Sequence, residues 1–206
     1  MAVPTTRRTQ AERRQESSLK LLNAAIEVIA TKGVAAATFE NLGMASGLSR
    51  GLVTKRFGSR DGMIEAVLVH LHDSRQQIID NNRLEALPGL DAVMAYVGLS
   101  LQGVAASLET RAYFRLLSAA VADMNCHRNI SAALHEKVRQ LLARWVAEGQ
   151  AQGTIRAELD AGMAALMVGC LIFGVSMQVK VDPGTDIEPV RQTGIGMIRD
   201  YLSSSA

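Results

Sequence analysis

The chain has 206 residues, 48% of them hydrophobic and 20% charged, with 17 Gly and 4 Pro. That composition excludes a disordered or collagen-like chain and suits one or two globular domains, and a chain this long buries roughly 70% of its unfolded surface without needing a disulfide or a structural metal. The net charge of +2 conceals an asymmetry: residues 1–60 carry ten Lys/Arg against four acids, residues 61–206 twelve against sixteen, which sets a basic unit suited to a polyanion on an acidic body.

Met1 to Gln15 is polar and Arg-rich with no apolar run, which predicts a cytoplasmic protein without a secretory signal. Residues 1 to about 12 are expected to form a disordered arm. Arg7, Arg8, Arg13 and Arg14 either track the backbone or groove of a polyanion or are simply solvated. Leu19, Leu22, Ile26 and Ile29 fall at helical spacing, and Gly33 supplies the stop. Thr38 caps a short helix over Phe39 to Ala45, Ser46-Gly47-Leu48 turns the chain, and Ser49 caps a second over Arg50 to Arg56. Ser59 caps a further helix with the stripe Met63, Ile64, Val67, Leu68, Leu71 and Ile78. After the break at Leu87-Pro88-Gly89, helices are expected at about 90–107, 109–122, 130–149, 160–179 and 186–203. The fold class is therefore all-α, with about nine helices.

Ala161 to Val179 holds 19 consecutive uncharged residues, long enough for a membrane span. Gly162, Gly169, Gly174, Ser176 and Gln178 dilute its hydrophobicity and no aromatic belt flanks it. A core or oligomer-interface helix, apolar all round, is the expectation, and no membrane partner.

Function is concentrated in Thr38 to Phe57, TFENLGMASGLSRGLVTKRF. Two short helices joined by a tight Gly-containing turn form a helix-turn-helix pattern. Leu42 and Val53 point between the helices, Gly43 permits their close approach, Gly47 takes the positive-φ turn position and Leu48 plugs the space beneath it. Arg50, Gly51, Thr54 and Lys55 then face outward, able to meet base edges and phosphates in a major groove. The first N–H groups of that helix, at Ser49 to Gly51, suit a phosphate.

Leu21-Leu22-Asn23-Ala24-Ala25, Lys32-Gly33, Thr38, Leu42-Gly43, Ser46 to Gly51, Leu52 to Phe57 and Ser59-Arg60 resemble, without a gap from Leu21 to Val67, the N-terminal domain of the TetR family of bacterial transcriptional repressors. The resemblance implies DNA contacts from Thr38, Ser49, Arg50, Gly51, Thr54, Lys55, Arg56 and Arg60. Thr54 and Arg56 stand where the family commonly has tyrosines that touch phosphates, which alters sequence preference more than DNA binding itself. It also implies a helix-turn-helix domain over 1–61 and, over 62–206, a helical domain for ligand binding and dimerisation.

The bulky side chains Met94, Tyr96, Tyr113, Phe114, Trp145, Met163, Met167 and Phe173 are pocket candidates, each also suited to plain core. Gly169, Cys170, Gly174, Met177, Ile195 and Ile198 are candidates for a homodimer face, with burial inside a monomer the alternative. No charged cluster marks the inducer, so a mostly apolar small molecule is expected. His70 and His72, two apart on a helix, cannot share a metal; His127 and His135 lack partners at ligand spacing, and neither a nucleophile motif nor a phosphate-cradling loop occurs. Cys126 and Cys170 are expected to be buried thiols. These observations exclude enzyme chemistry, metal and cofactor from the expectation. They point to a homodimeric repressor of double-stranded DNA released by a small molecule, with a helical carrier bearing a vestigial DNA-binding domain as the alternative.

Overall fold

The structure, a computed structural model, describes residues 9–123, 127–182 and 184–204; Arg7, Arg8 and Cys126 lie outside them. Nine α-helices occur among the described residues: α1 (Gln10–Lys32), α2 (Phe39–Ser46), α3 (Arg50–Phe57), α4 (Arg60–Asn81), α5 (Gly89–Ala106), α6 (Leu108–Asp123), α7 (His127–Ala151), α8 (Ala161–Val181) and α9 (Ile187–Leu202). Most starts are fixed by caps that occupy otherwise orphaned N–H groups. The Oγ1 of Thr9 accepts from Glu12 N at 3.2 Å, while Glu12 accepts from Thr9 N at 2.7 Å. This reciprocal box starts α1 at Gln10, so residues 10–12, expected in the arm, are helical, and Arg13 and Arg14 ride on the same helix. Thr38, Ser49, Ser59, Asp160 and Asp186 cap α2, α3, α4, α8 and α9.

Buried side chains form two clusters. The first joins Leu22, Ile26 and Ile29 of α1, Leu42 of α2, Val53 and Phe57 of α3, and Met63, Ile64, Val67, Leu68 and Leu71 of α4; Ala112, Leu116 and Leu134 from α6 and α7 complete it. The second joins Val93, Tyr96, Val97 and Leu101 of α5, Trp145 and Val146 of α7, Val168 and Ile172 of α8, and Ile198 and Leu202 of α9. Two residues of the expected stripes are exposed. Leu19 lies where α1 runs past the end of the first cluster, whose burial begins at Leu21. On α4, Ile78 points to solvent and Ile79 inward, because the buried face turns by one residue step, ~100°, as the helix passes from one cluster to the other.

The second cluster closes at its end. An isolated antiparallel bridge pairs Ile155 with Ser203, Arg156 N donates to Leu202 O at 2.9 Å, and Ser204 Oγ donates to Gly153 O at 2.7 Å. At the same end, α5 and α7 touch backbone to backbone. A Cβ on Gly89 would lie 2.2 Å from Trp145 O and 2.3 Å from Gly149 N. Gly89→Ala must therefore push two helices apart, and we expect it to lower unfolding free energy by about 1–3 kcal/mol, read from the midpoint of a urea titration. An unchanged midpoint would show that the helix crossing is loose.

Candidate nucleic-acid interface and ligand cavity

The turn between α2 and α3 is held by backbone geometry. Gly47 sits in the left-handed region (φ 66°, ψ 22°), and its N–H and that of Leu48 close back on Met44 O and Gly43 O at 3.4 and 3.2 Å, a paired helix stop that needs Gly at its turn. A Cβ on Gly43 would lie 3.0 Å from Leu48 O, so the two helices cross at backbone distance. Leu42 and Val53 are fully buried between them, and Leu48 is half-buried against the same cluster. Ser46 adds a lock with no clear signal in the sequence: its buried hydroxyl donates to Leu42 O at 2.6 Å and accepts from Leu48 N at 3.3 Å.

On this scaffold α3 leaves Arg50, Gly51, Thr54, Lys55 and Arg56 exposed. The Ser49 Oγ accepts from Leu52 N at 3.3 Å, and Thr54 Oγ1 donates to Arg50 O at 3.0 Å, leaving its lone pairs outward. The Arg56 guanidinium stacks 5.5 Å from the Phe57 ring centroid. Arg13 and Arg14 of α1 line one open groove with Leu52, Lys55 and Arg56 of α3. Four cations from two helices thus share a face, a grouping that distance along the chain conceals. Two expected contact residues have structural duties as well. Thr38 Oγ1 accepts from Asn41 N at 3.2 Å, and Arg60 donates to Val34 O at 2.8 Å, tying the start of α4 to the loop after α1.

The pocket candidates separate into three groups. Tyr96, Tyr113, Phe114 and Phe173 converge on one cavity of ≈ 30 Å³, with Arg75, His135 and Gly169 also in its wall. A second cavity of ≈ 50 Å³ shares Arg75, Tyr96 and Tyr113. Met94 and Trp145, by contrast, are sealed in the second cluster. Met163 and Met167 line neither cavity: they stand outward on α8, 53% and 48% exposed. Arg75 is the residue missed in the sequence. Its Nη1 donates to Tyr96 Oη at 2.9 Å and its guanidinium lies 4.9 Å from the Tyr113 ring centroid. Burial works against its charge, but Tyr96 and Tyr113 outweigh this and hold its pKa above the ordinary value. Burial pushes Tyr113 up and His135 down from their ordinary values. A lone Arg on an amphipathic helix carries no sign that tyrosines from α5 and α6 will enclose it.

Helix α8 leaves one apolar face uncovered: Met163, Leu166, Met167, Cys170, Gly174 and Val181 are exposed, and Met197 of α9, 59% exposed, extends the patch. Cys170 is therefore not buried within the chain. Of the other dimer candidates, Gly169 lines the aromatic cavity and the Sδ of Met177 accepts from Ser118 Oγ at 3.3 Å. Ile195 belongs to the packing around the second cluster, and Ile198 is buried in it. Gly169 and Met177 turn inward because α8 packs on α6 and α7, and Ile195 and Ile198 because α9 packs on α5. Helices α5 and α8 are each long and apolar enough to cross a membrane by length and composition; α5 lies in the second cluster, whereas only 28% of the apolar stretch of α8 is buried.

Residues 21–67 match the model of bacterial regulatory proteins of the tetR family. A helix-turn-helix-type transcriptional repressor of Mycobacterium tuberculosis is 36% identical over 67 residues, 32% of this chain and 36% of that protein. The alignment thus spans about a third of the curated relative. A TetR transcriptional regulator from Chloroflexus aurantiacus superposes with a TM-score of 0.81 at 17% identity, over 94% of this chain and 100% of the other. A protein described as a transcriptional regulator from Saccharomonospora viridis, in complex with choline, gives 0.80 at 19%, over 95% and 100%. NalD, the secondary repressor of a multidrug efflux pump in Pseudomonas aeruginosa, gives 0.70 at 18%, over 94% and 98%. At these identities the likeness is one of fold.

Gly47 has no atom within 4 Å of a would-be Cβ, so a side chain there costs only backbone strain. Gly47→Ala is expected to destabilise the protein by about 1–2 kcal/mol in urea unfolding. No change would mean that the turn relaxes out of the left-handed conformation.

Proposed function

The chain belongs to the TetR family of bacterial transcriptional regulators through its N-terminal domain, and from this premise we propose that it is a homodimeric repressor in the cytoplasm, released from a two-fold symmetric operator by a small, mostly apolar molecule. The observation that carries the proposal is the basic face on which Arg13 and Arg14 of α1 adjoin Lys55 and Arg56 of α3. Cations on the rim neutralise phosphates and set the register, while Arg50, Gly51 and Thr54 approach base edges. The uncovered apolar face of α8 and α9 supports a dimer, since an exposed patch of this kind marks an interaction site, and a two-fold protein calls for a palindromic site.

The ligand acts through a difference between two conformations. The aromatic cavity holds only ≈ 30 Å³, whereas a drug-sized ligand occupies ~300 Å³ or more. Its walls are Arg75 on α4, Tyr96 on α5, Tyr113 and Phe114 on α6, His135 on α7 and Phe173 on α8. A ligand that seats there spreads these helices, and α4 carries the displacement into the helix-turn-helix. The fixed charge of Arg75 opposes a quaternary ammonium, so a choline-like cation is not the ligand of this cavity.

The test is fluorescence anisotropy on an operator obtained by random-sequence selection, at several salt concentrations. Lys55→Ala is expected to weaken binding by a similar factor on every sequence and to lower the salt slope by about one. Failure to select any sequence would turn the assignment towards a helical small-molecule carrier. Independently, Met167→Glu places a charge in the α8 face and is expected to yield monomers in sedimentation analysis. A dimer that persists unchanged would move the interface elsewhere.

A further inference from the structure

A larger cavity, ≈ 360 Å³, shares Phe114 with the aromatic one and lies where the end of α1 meets α6, α8 and α9. All of its charged lining residues are cations, Arg111 and Arg115 of α6 and Lys180 of α8; α1, α5 and α9 present uncharged residues such as Ala30, Val104 and Ile187. The Lys180 Nζ is buried with no hydrogen-bond partner among the described residues, 5.9 Å from the Phe114 ring centroid. Burial first, and then Arg115, lower its pKa to about 8. A buried ammonium is normally held by a carboxylate or a set of acceptors; here the wall supplies further positive charge instead.

We infer that this cavity binds the charged end of a small organic anion, a carboxylate or a phosphate ester, which completes the coordination of Lys180, Arg111 and Arg115. Its volume falls within the range of small-molecule sites, ~300–1,000 Å³. The DNA backbone is not the anion, because Ala30 lies ~24 Å along α1 from Arg14, at the opposite end from the basic face. The occupant would compete for a bond that ties the body to α1, since Arg115 Nη1 donates to Ile29 O at 3.3 Å.

The experiment is isothermal titration of the full chain with citrate and with inorganic pyrophosphate, at ionic strength held constant with sodium chloride. Wild type is compared with Lys180→Met and Arg111→Gln. Saturable binding weakened at least tenfold in both variants is the expected result; citrate alone would identify a carboxylate, pyrophosphate alone a phosphate ester, and both a general anion site. In anion-free buffer Lys180→Met should also raise the thermal midpoint, because it removes an unpaired buried charge. Absence of heat beyond the chloride control, or equal binding by the variants, would overturn the inference. So would a lowered midpoint accompanied by dissociation of the protein, since Lys180 would then be paired across an interface. The titration uses no DNA, so its outcome is separate from that of the regulator assignment.

Discussion

Helix α4 belongs to two cores at once, and most of what the molecule can do depends on that continuity. Met63 to Leu71 are anchored among α1, α2 and α3, while Ile79 is anchored among α5 and α7. Over 22 residues it is a rod ~33 Å long. Beyond Gly62 it contains neither Gly nor Pro, so no kink site interrupts it. Arg75 sits between the two anchored stretches, held by tyrosines from α5 and α6. A change in the spacing of those helices therefore alters the tilt of a rod whose other end sets the position of α3.

Helix α1 supplies the second connection. It lies along α6, whose Ala112 and Leu116 complete the N-terminal cluster, and Arg115 adds a hydrogen bond into its last turn. The boundary expected at residue 61 is not a boundary in the packing, since the N-terminal cluster continues through Met63 to Leu71 of α4. That first cluster is closed only by these α4 residues and by Ala112, Leu116 and Leu134, whereas the second draws on residues from Ile79 onward alone.

How much was legible in the residues followed the strength of local signals. The helix-turn-helix could be read almost residue by residue, because Thr38, Gly43, Gly47 and Ser49 each have a local backbone duty that few other residue types perform. Helix order was legible through caps and breaks, with ends displaced by one to three residues. The faces of α8 were not. Both its buried residues (Ala164, Val168, Ile172) and its exposed ones (Met163, Met167, Cys170) are apolar or small, so periodicity could not separate inside from outside. Met163 and Met167 were consequently assigned to a pocket that they do not line. On α9, whose faces do differ in polarity, Ile198 lies on the apolar side and α5 covers it; the residues alone do not say whether a partner or the chain itself supplies the cover. Arg75 and Lys180 escaped for a different reason: each is a single cation on its own helix, and its surroundings are assembled from residues far away in the chain.

The contact of Gly89 with Trp145 and Gly149 gives the C-terminal body a mechanical grain. Side chains between helices are compliant, since rotamers shift before backbones do, but two backbones in contact have no such cushion. With α5 and α7 welded at this crossing, and Ile155 lodged against Gly149, that end of the bundle behaves as a fixed base. Deformation is then directed to the far side, where α4, α6 and α8 meet through aromatic rings and long cationic side chains. The two small glycines decide which half of the molecule is the frame and which is the moving part.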